Sequence, residues 1–159
     1  MAGAKTPTYE IPFRRRKEGK TNYGKRLVLV KSGKPRMVVR KTNKGMIVQF
    51  VSFDPKGDKT ILLIDGKYLN KKYGWNSKRN TATAYLLGFA AGKLAKEKKV
   101  DGFVFDTGLQ TASKGSIIYA ALKGAVDAGL KTSFDEKMVP MDKLEKAEGL
   151  EDAKKKITG

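Results

Sequence analysis

Between Ala82 and Ala95 only Thr83 and Lys93 are clearly polar. Asn80 stands where it can cap a helix over this stretch, running to about Lys98. A helix apolar nearly all round needs burial on more than one side. Any fold for this chain must therefore give one helix two covers. A sheet can supply the first. The second has to come from the C-terminal segment or from another molecule. Gly88 and Gly92 lie about one turn apart and could permit close backbone approach, or could simply serve ordinary helix-to-sheet packing.

The sheet is written upstream. Arg36-Met37-Val38-Val39-Arg40-Lys41, then Met46 to Phe53, then Thr60 to Ile64 are rich in β-branched or aromatic residues. Asn43-Lys44-Gly45 and Asp54-Pro55-Lys56-Gly57-Asp58 carry turn chemistry between them. A three-stranded antiparallel meander is expected. Alternation places Arg36, Val38 and Arg40 on one face, and Met37 and Val39 on the other. The sheet should thus have a basic open face and an apolar covered face. Gly102-Phe103-Val104-Phe105-Asp106 reads as a fourth, buried strand. Ser116 can cap a second helix ending near Asp127, with Gly129 as its stop. Ile117, Ile118, Ala121, Leu122, Ala125 and Val126 form one apolar stripe along it.

The resulting fold class is α+β: a mixed sheet in β-β-β-α-β-α order with two helices on one face. Residues 1–26 form an extended basic N-terminal arm, residues 27–130 the α+β domain, and residues 131–159 a C-terminal tail with one short helix. Pro7 and Pro12 interrupt any periodicity in the arm, which should be disordered when free and ordered on its partner.

Charge points to that partner. Of a formal net charge of +18, residues 1–45 carry fourteen Lys/Arg against two Glu, whereas residues 132–159 are close to neutral. Such an excess opposes compact folding unless a polyanion neutralises it. A membrane surface is the weaker choice, since no apolar run reaches the ~20 residues of a spanning helix and no secretory signal pattern opens the chain. In the arm, Arg14, Arg15, Arg16, Lys17, Lys20, Lys25 and Arg26 suit phosphates, while Tyr9, Phe13 and Tyr23 can stack on unpaired bases. RNA is preferred to duplex DNA, because no helix-turn-helix, zipper or zinc pattern is present.

Several chemistries are disfavoured. The chain has no Cys and no His, which removes disulfides, zinc fingers and the commonest general base. Gly19-Lys20-Thr21 resembles the end of a phosphate-binding loop, but Arg14 stands where the motif needs Gly, and no strand precedes it. Asp54, Asp65, Asp101 and Asp106 fall near strand ends and suggest a metal-dependent ribonuclease-H-like nuclease as an alternative. The helix after the third strand offers no acid before Glu97, so one ligand is missing. A basic architectural DNA binder is the other alternative. Trp75 covers the core edge or stacks on RNA together with Asn76, Lys78 and Arg79.

Arg14-Arg15-Arg16, Lys20-Thr21-Asn22-Tyr23 and Arg26 resemble the N-terminal arm of one ribosomal family. The stretch from Pro35 to Lys44, Tyr73-Gly74-Trp75, Ala84-Tyr85-Leu86-Leu87-Gly88, Asp106-Thr107-Gly108 and the stretch from Leu122 to Leu130 extend the match. The family is the 5S-rRNA-binding protein of the large subunit, number eighteen in the bacterial and archaeal series. The long arm and the Tyr-Gly-Trp segment look like the archaeal type, whose eukaryotic counterpart is numbered five. The resemblance covers roughly residues 14–130.

It implies 5S rRNA as main ligand, contacts with 23S rRNA, and neighbouring proteins of the central protuberance, including the one numbered five in the bacterial series. It implies a place on the cytoplasmic ribosome, and no catalysis, metal, cofactor or small-molecule substrate. The arm, with Thr21, Asn22 and Tyr23, and the segment Arg36, Arg40, Lys41, Thr42, Asn43 and Lys44 should meet 5S rRNA. Gln49 on the adjacent strand joins that set. The loop of Ser113, Lys114 and Ser116 should approach the RNA as well. After Leu130 the chain departs from the family pattern, which often has a Pro-His pair there and an Arg-x-Gly-Glu segment later.

Overall fold

The computed structural model describes residues 7–147 and 149–158. Residues 1–6 of the expected arm lie outside that range. The arm is not extended as far as Arg26. A single turn, α1 (Arg14–Lys17), is followed by α2 (Tyr23–Lys31). The signals for α2 are local: the Asn22 side chain accepts from Lys25 N at 3.0 Å, and Gly33, at φ +67°, ends the segment. Its aliphatic residues are bunched as Leu27-Val28-Leu29-Val30 rather than spaced at helical intervals, which hid a helix that both caps specify.

The meander follows as β1 (Arg36–Lys41), β2 (Met46–Ser52) and β3 (Lys59–Asp65). β1 pairs antiparallel with β2, and β2 with β3. A bulge at Ile61 breaks the β2–β3 register, because Phe50 faces Leu62 while Val51 faces Thr60. Thr42 closes the β1–β2 turn: its hydroxyl donates to Gly45 O and accepts from Gly45 N, both at 3.0 Å.

A helix the sequence reading lacked comes next, α3 (Gly66–Tyr73). Asp65 caps it by accepting from Tyr68 N, and Gly74 leaves it at φ +68°. Then come α4 (Thr81–Glu97), capped by Asn80, and β4 (Val104–Asp106). β4 is shorter than expected and only half-buried. It pairs parallel with β1, giving the mixed order β3-β2-β1-β4. Where β4 stops, the Gln110 side-chain amide donates to Val39 O at 2.7 Å and continues the ladder. Helix α5 (Ile117–Asp127) follows Ser116, whose side chain makes no capping bond.

Helices α4 and α5 cover one face of the sheet, over Met37, Val39, Met46, Val48, Phe50, Leu62 and Ile64. They cross at glycines. A Cβ on Gly88 would stand 1.9 Å from Ala121 O, and one on Gly124 would stand 2.1 Å from Tyr85 O. Close backbone approach, rather than ordinary packing alone, is therefore what Gly88 provides.

The second cover for α4 comes from the tail. After α6 (Met141–Glu145), α7 (Leu150–Thr158) buries Leu150, Ala153 and Ile157, a stripe that the mixed charge of this segment obscured. Lys154 Nζ lies 5.7 Å from both the Tyr85 and Phe89 ring centres, and Lys93 Nζ donates to Thr158 O at 2.9 Å. The expected tail with a single short helix is thus two helices, one of them part of the core. At the C-terminal end of α4, Lys98 Nζ donates to the carbonyl of the bulged Ile61.

Candidate nucleic-acid interface

The outward face of β1 presents Arg36, Val38 and Arg40, but it is not uniformly open. Arg36 and Val38 are buried, and only Arg40 is exposed. The arm turns back over this face. Between the two runs a cleft of about 910 Å³, lined from the arm by Arg15, Lys20, Thr21, Asn22, Lys25 and Arg26. From the sheet it is lined by Arg36, Val38, Arg40, Lys41, Gln49 and Val51. The loop after β4 closes one wall with Thr107, Gly108, Leu109 and Gln110. A smaller cleft adjoins it, lined by Arg16, Tyr23, Gly24 and Leu109 among others. Phe13 packs on Tyr23 with ring centres 5.3 Å apart and leaves most of its surface exposed.

The cations here fall into two groups. Arg26, Arg36, Asp58 and Asp106 form a ladder. Arg26 Nη2 meets Asp58 Oδ1 at 2.8 Å, Arg36 meets the other Asp58 oxygen, and Arg36 Nη1 meets Asp106 Oδ2 at 2.6 Å. The free oxygen of Asp106 accepts from Gly108 N at 2.8 Å. Strand alternation alone would leave Arg36 on an open RNA-facing surface. Here it is buried between two carboxylates, because the turn before β3 and the end of β4 both bring acids to it. Arg14 and Lys20 share the exposed Glu18. Among the described residues, Arg15, Arg16, Lys17, Lys25, Arg40, Lys41 and Lys44 form no ion pair. These are the charges a polyanion would neutralise.

Polar candidates divide likewise. Thr21 accepts from Arg15 Nε at 2.9 Å and so shapes the arm. Asn22 and Thr42 are used as cap and turn-closer. Asn43 and Lys44 stand exposed at the turn tip, and Gln49 is half-buried on the cleft floor.

The remaining candidates lie outside this cleft. Trp75 is half-buried, and its Nε1 donates to Thr83 Oγ1 at 2.9 Å, so it covers the core edge. Asn76, Lys78 and Arg79 are exposed beside it. Ser113 and Lys114 are exposed and Ser116 half-buried, on a loop held by Gly115 N donating to Met138 O. Leu109, Gln110 and Asp58 were not anticipated. Asp58 sat within a turn-forming run, and nothing local marks the other two.

Three of the four aspartates considered for a nuclease have other employment. Asp54 pairs with Lys59, which holds its carboxyl below the usual range, with help from Lys56 N. Asp65 caps α3, and Asp106 holds Arg36. Among the described residues no three acids gather into a metal site.

Residues 7–104 match the family model described as ribosomal large subunit proteins 60S L5 and 50S L18. The large ribosomal subunit protein uL18 of Aeropyrum pernix is 48% identical over 143 residues, 89% of this chain and 67% of that relative. The chain belongs to this L5/L18 family. It is therefore a ribosomal protein of the large subunit, working in the cytoplasmic ribosome as a structural component rather than as an enzyme. Within the L5/L18 match lie the arm helices, the meander, α3, α4 and the start of β4, so the arm wall and sheet floor of the cleft are family territory. The β4 loop, α5 and the tail helices lie beyond residue 104.

Proposed function

We propose that this protein binds 5S rRNA through the cleft between arm and sheet and helps attach it to 23S rRNA in the central protuberance. One observation carries the reading. Cations fifteen or more positions apart in sequence, Arg15 and Lys25 on the arm and Arg40 and Lys41 on β1, line the same groove without carboxylate partners. Arg14 to Lys17 and Lys25 act mainly on phosphates and set affinity. Arg40 on its strand, and Asn43 at a turn fixed by Thr42, hold donors in place and discriminate RNA shape. Trp75 to Arg79 and the loop from Ser113 to Ser116, lying outside the cleft, are available to a second RNA segment or to neighbouring large-subunit proteins.

The test is a pair of titrations, with 5S rRNA and with a size-matched structured RNA, at several salt concentrations. The wild-type protein should prefer 5S rRNA. Arg40→Ala or Asn43→Ala should erode that preference. Equal affinity of the wild-type protein for both RNAs would overturn the assignment of 5S rRNA.

A further inference from the structure

Helix α2 has little to hold it. None of its residues is fully buried: Leu27 and Val28 are 56% and 69% exposed, and Leu29 and Val30 are half-buried. A nine-residue helix is marginal by itself in water. Yet α2 forms one wall of the cleft, so something must fix it over the sheet. The ion ladder is the evident device. Arg26 lies on α2, Asp58 precedes β3, Arg36 opens β1 and Asp106 ends β4. Each oxygen of Asp58 serves a different arginine, one on the arm and one under it. Arg36 in turn is anchored from the other side by Asp106, whose second oxygen is held by the backbone of Gly108.

We propose that Asp58 is a positioning residue for RNA binding. It holds α2 through Arg26 so that the cleft exists before RNA arrives. This rests on the cleft being the RNA-binding surface. It also makes a prediction opposite to simple charge counting. Asp58 is an acid lining a groove for a polyanion, so removing its charge should tighten binding if it acts only through the electrostatic field. If it positions α2, removing it should weaken binding, because the arm must then be ordered at the expense of binding free energy.

The experiment uses the full-length chain in two steps. Hydrogen exchange of the RNA-free protein comes first. In Asp58→Asn the amides of residues 26–31 should exchange about tenfold faster, in keeping with loss of a charged hydrogen bond, while those of β1 and β2 stay unchanged. Arg26→Gln should do the same, and it leaves the buried Arg36–Asp106 pair intact, so it reports even if Asp58→Asn folds poorly. In α2 exchange the double variant should be no worse than Asp58→Asn alone, which already cuts the link to Arg26. Second, Asp58→Asn should bind a 5S rRNA transcript about tenfold more weakly.

Unchanged exchange in α2, or tighter RNA binding by Asp58→Asn, overturns the proposal. So does a double variant whose effects simply add. The exchange step needs no RNA. A wild-type protein that fails to select 5S rRNA would therefore sink the RNA assignment while leaving the α2 measurement to be read alone.

Discussion

Helix α4 buries most of its length between a sheet, α5 and α7, whereas α2 has no fully buried residue, keeps Leu29 and Val30 only half-buried, and is tied to the sheet by one arginine on a shared carboxylate. The first attachment is apolar contact and close backbone approach, which salt hardly touches. The second is electrostatic and partly exposed, so ionic strength weakens it. The molecule thus divides into a body that is complete without RNA and an arm whose placement depends on its surroundings. On the RNA-binding role proposed above, the division has a use: the body would fix the strand donors, and the arm would yield as phosphate arrives.

The most severe way to break that contrast is at the helix crossing. Gly88→Ala would push a Cβ into the Ala121 carbonyl at 1.9 Å, against backbone that cannot step aside. Overpacking of this kind should cost about 3 kcal/mol, more than the gain in helix propensity. Chemical denaturation should show it, with the arm's exchange relative to the body unaltered.

Next comes the arm. Replacing Arg14, Arg15, Arg16 and Lys17 by Ala should lower affinity for 5S rRNA and for other structured RNA alike. The log–log salt slope should flatten by about 2 to 3 if most of these residues touch phosphates. A variant that keeps its slope would place the phosphate contacts elsewhere.

A milder perturbation sharpens the comparison without mutation. Raising salt to about 0.5 M in RNA-free protein should speed exchange in α2 several-fold and leave α4 unaffected. Equal responses would mean that α2 is held by packing after all.

Trp75→Phe should remove the bond to Thr83 and cost about 1 kcal/mol, while RNA selectivity stays intact. A loss of selectivity with no loss of stability would move Trp75 from core edge to RNA surface.

The smallest effect concerns Tyr85. Burial raises its phenol pKa well above the ordinary 10.0, and the hydrogen bond to Asp127 adds to this. The unfolded phenol ionises near 10 while the folded one keeps its proton, so stability is lost as pH rises above about 10. Tyr85→Phe should flatten that decline in denaturation curves measured on both sides of pH 10.

Much of the body was legible from residues alone. The meander, α4 and α5 announce themselves through alternation, stripes and turn residues acting over a few positions. Helices α3 and α7 escaped for different reasons. α3 has clear caps in Asp65 and Gly74 but a thin apolar stripe. α7 hides Leu150, Ala153 and Ile157 among six charged or small polar neighbours, and only contact with α4 makes that stripe meaningful. In the candidate site, the arm and strand cations could be named from composition. Which of them are already neutralised could not. Arg36 is matched by Asp58 and Asp106, 22 and 70 positions away, and no local pattern carries that information.

The bulge at Ile61 has a consequence for the time between synthesis and assembly, when the chain must stay dispersed. β3 is an outer strand, and a flat outer strand is a template on which a second copy can add its own. Here the extra residue disturbs the repeat, and the Lys98 ammonium occupies the carbonyl that the irregularity leaves over. An incoming strand would meet a broken register and a fixed positive charge. The same local irregularity thus makes this border a poor template for a second copy.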